Sequence, residues 1–187
     1  METLTDKEAM NWCKQWPLQL EFGVDGLLRV PSKGHTYVVD LSKMSWRDLL
    51  PTARALAFLG CHVAEAFSGG LVWIRRTGIA VPEMEAVVVS ALERFRRGFG
   101  ENRSIETARA HLFRKDESNE FSAVLLFVLL AEWDAYVVHP SGEWVAFISN
   151  DDRITVTARS AEVADDLKES METWGPTIPE LAPRTLF

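Results

Sequence analysis

The sequence predicts an α+β fold in which antiparallel hairpins and a meander pack with about five to six helices. Three observations predict it. Helix-start signatures at Thr5, Ser45, Pro82 and Ser160 precede stretches whose apolar residues recur three and four apart. Short runs rich in β-branched and aromatic residues are separated by turns containing Gly, Pro and Asp. A composition of 47% hydrophobic and 25% charged residues over 187 positions suits one globular core.

Thr5-Asp6-Lys7-Glu8 reads as a capping box, so a first helix should run to about Gln15, before Pro17. From 18 to 41 the pattern becomes strand-like, with turns at Gly23, Asp25-Gly26 and 31–34 around runs at 27–30 and 36–41. Ser45-Trp46-Arg47-Asp48 starts a second helix that must restart at Pro51 or open with a separate turn, and Gly60 should end it. Runs at 61–67 and 71–76 flank Ser68-Gly69-Gly70 and are expected to form a hairpin. Pro82 suits a helix first turn, and Met84, Val87, Val88, Ala91, Leu92 and Phe95 continue it to Gly98. Ser104 is expected to open another helix, with Ile105, Ala108, Leu112 and Phe113 inward and Arg103, Arg109, Arg114 and Lys115 wet.

The stretch 121–133 is apolar on nearly all sides and reads as a buried central helix. Strands at 135–139, 144–149 and 154–158 follow, joined by Pro140-Ser141-Gly142 and Asn150-Asp151-Asp152, which makes an antiparallel meander. Ser160 caps a last helix to about Trp174, with Val163, Leu167 and Met171 inward and Glu162, Asp165, Asp166 and Glu169 outward. The helix-then-hairpin order at 56–74 recurs at 126–148, which suggests pseudo-duplication of a helix-hairpin unit. Residues 1–175 are thus expected to form a single domain, with a division into two lobes near 100–118 left open, and 176–187, with Pro179 and Pro183, an extended tail.

Net charge is −7, and it is unevenly spread: −1 over 1–70, +4 over 71–115 and −10 over 116–187. The acidic last third favours basic partners and argues against general binding of nucleic acid, which needs a positive footprint. The cations at 75, 76, 94, 96, 97, 103, 109, 114 and 115 have five acids among them and no aromatic platform, so they read as solvated helical faces. The amino terminus lacks a basic stretch followed by an apolar run, and no apolar run approaches the roughly 20 residues needed to span a bilayer. A cytoplasmic protein without membrane association is expected. Cys13 and Cys61 lack the spacing of a zinc site or a disulfide framework, and the Asn102-Arg103-Ser104 sequon has no secretory context.

No phosphate-binding glycine loop, dinucleotide fingerprint, HExxH, CxxC pair or EF-hand occurs, so no cofactor, metal or catalytic residue is assigned. Cys61 beside His62 would point to opposite faces of a strand, the wrong geometry for a nucleophile and its base. His139, before a Pro-Ser-Gly turn, reads as an exposed strand end. Trp144 and Trp174 admit two readings, core packing or an aromatic anchor ringed by carboxylates. The functional expectation is an acidic protein-binding module, a stoichiometric inhibitor or immunity-type protein of bacterial or phage kind. Asp134, Glu143, Trp144, Asp151, Asp152, Asp165 and Asp166 are its partner-binding candidates. The alternative is an enzyme or small-ligand domain whose site is assembled from dispersed residues, with His139, Asp134, His62 and Arg75 as candidates. A homodimer through an uncovered strand, at 36–41 or 153–158, is the expected form of self-assembly.

Overall fold

Apolar side chains alternate through the second half of the chain because a strand shows one face to each side, and here both faces of the sheet are covered over much of its width. The computed structural model describes residues 1–15, 21–22, 28–29, 34–62, 69–77 and 82–174. Among them nine strands form: β1 (Glu2–Leu4), β2 (Glu21–Phe22), β3 (Leu28–Arg29), β4 (His35–Asp40), β5 (Leu71–Arg76), β6 (Ala110–Leu112), β7 (Asp134–Val138), β8 (Trp144–Ser149) and β9 (Arg153–Ala158). Five α-helices accompany them: α1 (Asp6–Lys14), α2 (Trp46–His62), α3 (Pro82–Arg97), α4 (Ser118–Leu130) and α5 (Ala161–Trp174). Seven strands make one antiparallel sheet in the order β1-β6-β5-β7-β8-β9-β4, while β2 and β3 pair separately.

The two faces hold two cores. Val72, Ile74, Val137, Ala146, Ile148, Ile154 and Val156 point toward the helix layer, in which α3, α4, α2 and α5 lie side by side in that order. Helix α4 is apolar all round, as a helix walled in by α2, α3 and β5 must be, and buries Phe121, Val124, Leu125, Val128 and Leu129. Phe113 stacks on Phe121 with ring centroids 4.7 Å apart. The opposite face carries Leu71, Trp73, Tyr136, Val138 and Val145 beneath α1 and the β2–β3 pair. Two polar pins fix that second layer: the Trp73 indole donates to Asp6 (2.7 Å), and the Leu28 amide donates to the Tyr136 hydroxyl (2.9 Å).

Most local signals act as read. The Thr5 capping box forms, with the Thr5 amide donating to Glu8 Oε2 (2.7 Å) and the Glu8 amide to Thr5 Oγ1 (3.3 Å). The meander β7-β8-β9 turns at Gly142 (φ 75°) and Asp152 (φ 56°). Helix α2 passes through Pro51, whose ring deprives only the Arg47 carbonyl of an amide donor, and the Ser45 amide is capped by Asp48 (2.7 Å).

Four expectations are corrected. The helix expected from Ser104 is a turn followed by β6, because Ala110, His111 and Leu112 fill the slot between β1 and β5, a long-range pairing that outweighs helical spacing. Cys61 and His62 belong to the last turn of α2 and not to a strand, and β5 pairs with β6 and β7; the rest of the strand expected at 61–67 lies outside the described residues. His139 is buried and not exposed. Strand β9 is interior, between β8 and β4, which removes 153–158 as a free edge. The extended tail also falls outside the described residues. No described helix is long and apolar enough to cross a membrane.

Gly69 sits where no side chain fits. Its φ is 96°, and a Cβ would lie 1.6 Å from the Phe113 carbonyl oxygen, because the Phe113 amide donates to Gly70 (2.9 Å) and draws the two backbones together.

Candidate functional site

Turn chemistry places three of the acidic candidates together. Strand β7 begins at Asp134, and the β8–β9 turn at 150–152 closes beside it, because the Asn150 amide donates to Asp134 Oδ1 (2.8 Å). Asp152 occupies the left-handed conformation the tight turn requires, and its carbonyl accepts from the Leu41 amide (2.7 Å), which ties the turn to the end of β4. The Asp151 amide donates to Ser149 Oγ (3.2 Å). Asp151 and Asp152 are thereby held exposed, with Asp134 half-buried behind them. Glu132, two residues ahead of Asp134, and Asp40, paired in register with Arg153, add carboxylates to this end of the sheet, against the guanidinium groups of Arg76 and Arg153. Five acids thus gather beside Arg76 and Arg153, while at the same end Arg75 is turned to Asp6 and Arg109 to the Arg75 carbonyl.

The remaining candidates lie elsewhere. Glu143 and Trp144 start β8, so the strand's length, on the order of 20 Å, separates them from Asp151. Trp144 is 1% exposed and packs in the helix-side core, with its ring stacked on His139 at 5.6 Å. It is a core filler and presents no anchor to a partner. Asp165 and Asp166 project from the solvent side of α5, whose inner side buries Leu167 and Met171.

The described members of the dispersed polar set do not converge. Asp134 and His139 occupy opposite ends of β7. His139 Nδ1 accepts from the Ser141 amide (3.2 Å) and contacts Ser141 Oγ (2.6 Å), and burial pushes its pKa down to about 4, so the ring is neutral and structural. Arg75 lies 4.9 Å from the centroid of the Trp73 ring and 3.6 Å from Asp6. The side chain of His62 is outside the described set. Burial also pushes the Cys13 thiol up to about 12, which keeps it protonated and unreactive. Among the described residues no group of three or more His, Cys, Asp or Glu side chains is placed to hold a metal ion.

The opposite edge of the sheet holds a polar cluster that the sequence did not reveal. Thr3 of β1 and His111 of β6 are register partners and lie on the helix side with Val72. Arg103 donates to both carboxylate oxygens of Glu101 and, at 3.0 Å, to the Thr3 carbonyl, while the Thr3 hydroxyl donates to Glu101. The Arg103 guanidinium and the Thr3 hydroxyl together hold the Glu101 carboxyl down to about 2. Arg96, expected on a wet helical face, is fully buried and donates to the Ala108 carbonyl (3.0 Å). His111 is fully buried, and desolvation pushes its pKa down to about 3. An open cleft of about 520 Å³ lined by Thr3, Glu8, Phe99, Glu101, Arg103 and Arg114 adjoins this cluster, but its cations are engaged: Arg103 by Glu101, Arg114 in contacts of its own. No characterised protein, protein-family model or solved structure matches the chain.

Proposed function

We propose that the chain is a protein-binding module that engages a basic partner through the carboxylate-rich end of its sheet, in the manner of a stoichiometric inhibitor or immunity-type protein. The observation that carries the reading is the convergence of Asp134, Asp151 and Asp152, with the backbone bond from Asn150 to Asp134 fixing the turn that displays them. A turn whose backbone is already held loses little freedom when a Lys or Arg docks on its carboxylates, and their field accelerates encounter with a positive surface. Asp165 and Asp166 extend the negative field along α5.

The test is capture of a binding protein from the native host with the wild-type chain, repeated with Asp151→Lys and Asp152→Lys together. The reading predicts a complex whose affinity falls about tenfold or more on reversal and whose association slows with added salt. Recovery of no protein, or a complex indifferent to the reversal, contradicts it.

A further inference from the structure

The geometry points to β4 as the docking strand for an extended, basic segment of the partner, added to the sheet edge by main-chain hydrogen bonds. This inference rests on the protein-binding reading and names how the partner is held. Strand β4 is the outermost strand of the sheet, six residues long, and it pairs with β9 along its whole length on one side. Among the described residues nothing pairs with its other side. A bare strand edge normally carries a charge in mid-strand, a proline, a bulge or very short length. His35-Thr36-Tyr37-Val38-Val39-Asp40 carries its only carboxylate at the end, has no proline and keeps unbroken register with β9.

Charge decides what this edge accepts. Helix α5 is the outermost helix on this flank: it packs on α2, β4 and β9, and its exposed side bears Glu162, Asp165, Asp166 and Glu169 around Lys168. The exposed turn of Asp151 and Asp152 lies at the end of β4, joined to it through the bond from Leu41 to Asp152. A strand laid along β4 therefore passes between an acidic helix and an acidic turn. Side chains on one face of that strand reach α5, which calls for Lys or Arg at alternate positions. On the other face Thr36 and Thr157, whose hydroxyls lie 3.3 Å apart, leave a small polar shelf. A second copy of the chain fits worse. Antiparallel pairing about a two-fold axis normal to the sheet would bring two α5 helices alongside each other, carboxylates facing carboxylates.

Amide exchange read by NMR on the intact chain tests this, with a short synthetic peptide of alternating Val and Lys as the probe and a Val and Glu peptide as the control. The expected result is exchange slowed about tenfold or more at alternate amides between His35 and Asp40 with the Lys peptide alone. The effect should weaken in Asp165→Lys/Asp166→Lys and disappear in Val38→Lys, which puts a charge in mid-edge. Protection elsewhere, equal protection by the Glu peptide, or none at millimolar Lys peptide overturns the inference. So does protection of β4 without peptide accompanied by doubling of the mass in light scattering, which would give the edge to a second copy. Loss of host-partner capture on reversal of Asp151 and Asp152, but not in Val38→Lys, would sink the edge inference and leave the protein-binding reading standing.

Discussion

The two edges of the seven-stranded sheet are built on opposite terms. At one, β1 is three residues long, its Thr3 carbonyl accepts from Arg103, its Thr3 hydroxyl is engaged by Glu101, and the Met1 ammonium pairs with Glu117. At the other, β4 runs six residues in even register, with β9 on one side and no described strand on the other. A short, side-chain-plugged strand cannot template another chain, whereas a long even one can. The difference teaches where to look for function in a fold without catalytic motifs: at the edge that no described strand closes. Substitutions at the closed edge should therefore act on stability, and those at the open edge on binding.

The largest expected effect lies at the root of the closed edge. Gly69→Ala forces a side chain into a left-handed position and against the Phe113 carbonyl, so β5 and β6 must separate locally. A loss of about 3 kcal/mol or more in urea unfolding is expected. An unchanged midpoint would mean that the junction is not as tight as described.

His111→Leu sharpens the same side by pH. The folded pKa is depressed to about 3 while the unfolded ring titrates near its ordinary value, so the unfolded chain alone takes up a proton as pH falls from about 6.5 to 3, and stability is lost across that window. The variant should keep its stability at neutral pH and exceed the wild type by about 3 kcal/mol near pH 4. Of the slope that remains, His139, depressed to about 4 for the same reason, supplies part, and carboxyls held low in the fold, Glu101 among them, supply the rest at the acid end. Thermal midpoints that run parallel for both proteins from pH 7 to 4 would contradict this.

Arg103→Ala unplugs β1. Its cost is about 1 kcal/mol, since the guanidinium is largely solvated. Glu101, held down to about 2 in the fold, contributes stability that is complete above its ordinary pKa and is lost as pH falls toward 2, so the variant should show a flatter acid limb. Val38→Lys should be the mildest, within about 0.5 kcal/mol in urea unfolding, because it lies half-buried on an edge strand where Lys is well tolerated.

What the sequence disclosed follows from how local each signal is. The capping box at Thr5 and the turns at 140–142 and 150–152 are set by residues within four positions, and they form as read. β1 and β6 span three residues each, too short for any period to show, and they exist because of partners 37 to 110 positions away. Strand order is equally non-local, so nothing in the chain distinguished β4, at the edge, from β9, inside it. Arg96 and His139 were read as wet because their types usually are, and only the packing of α3 against the 104–108 turn and of Trp144 against the β7 end buries them. Of the acidic candidates, Asp134, Asp151 and Asp152 come together through one backbone bond, whereas Glu143 lies a strand's length away.

The most direct test of the central comparison is a map of backbone amide shifts as the protein is titrated with the partner it captures. The account predicts changes concentrated at 35–41, at 150–153 and on the exposed side of α5, with β1, β6 and the 98–103 turn silent. Changes centred on β1, Glu101 and Arg103, with β4 silent, would contradict it.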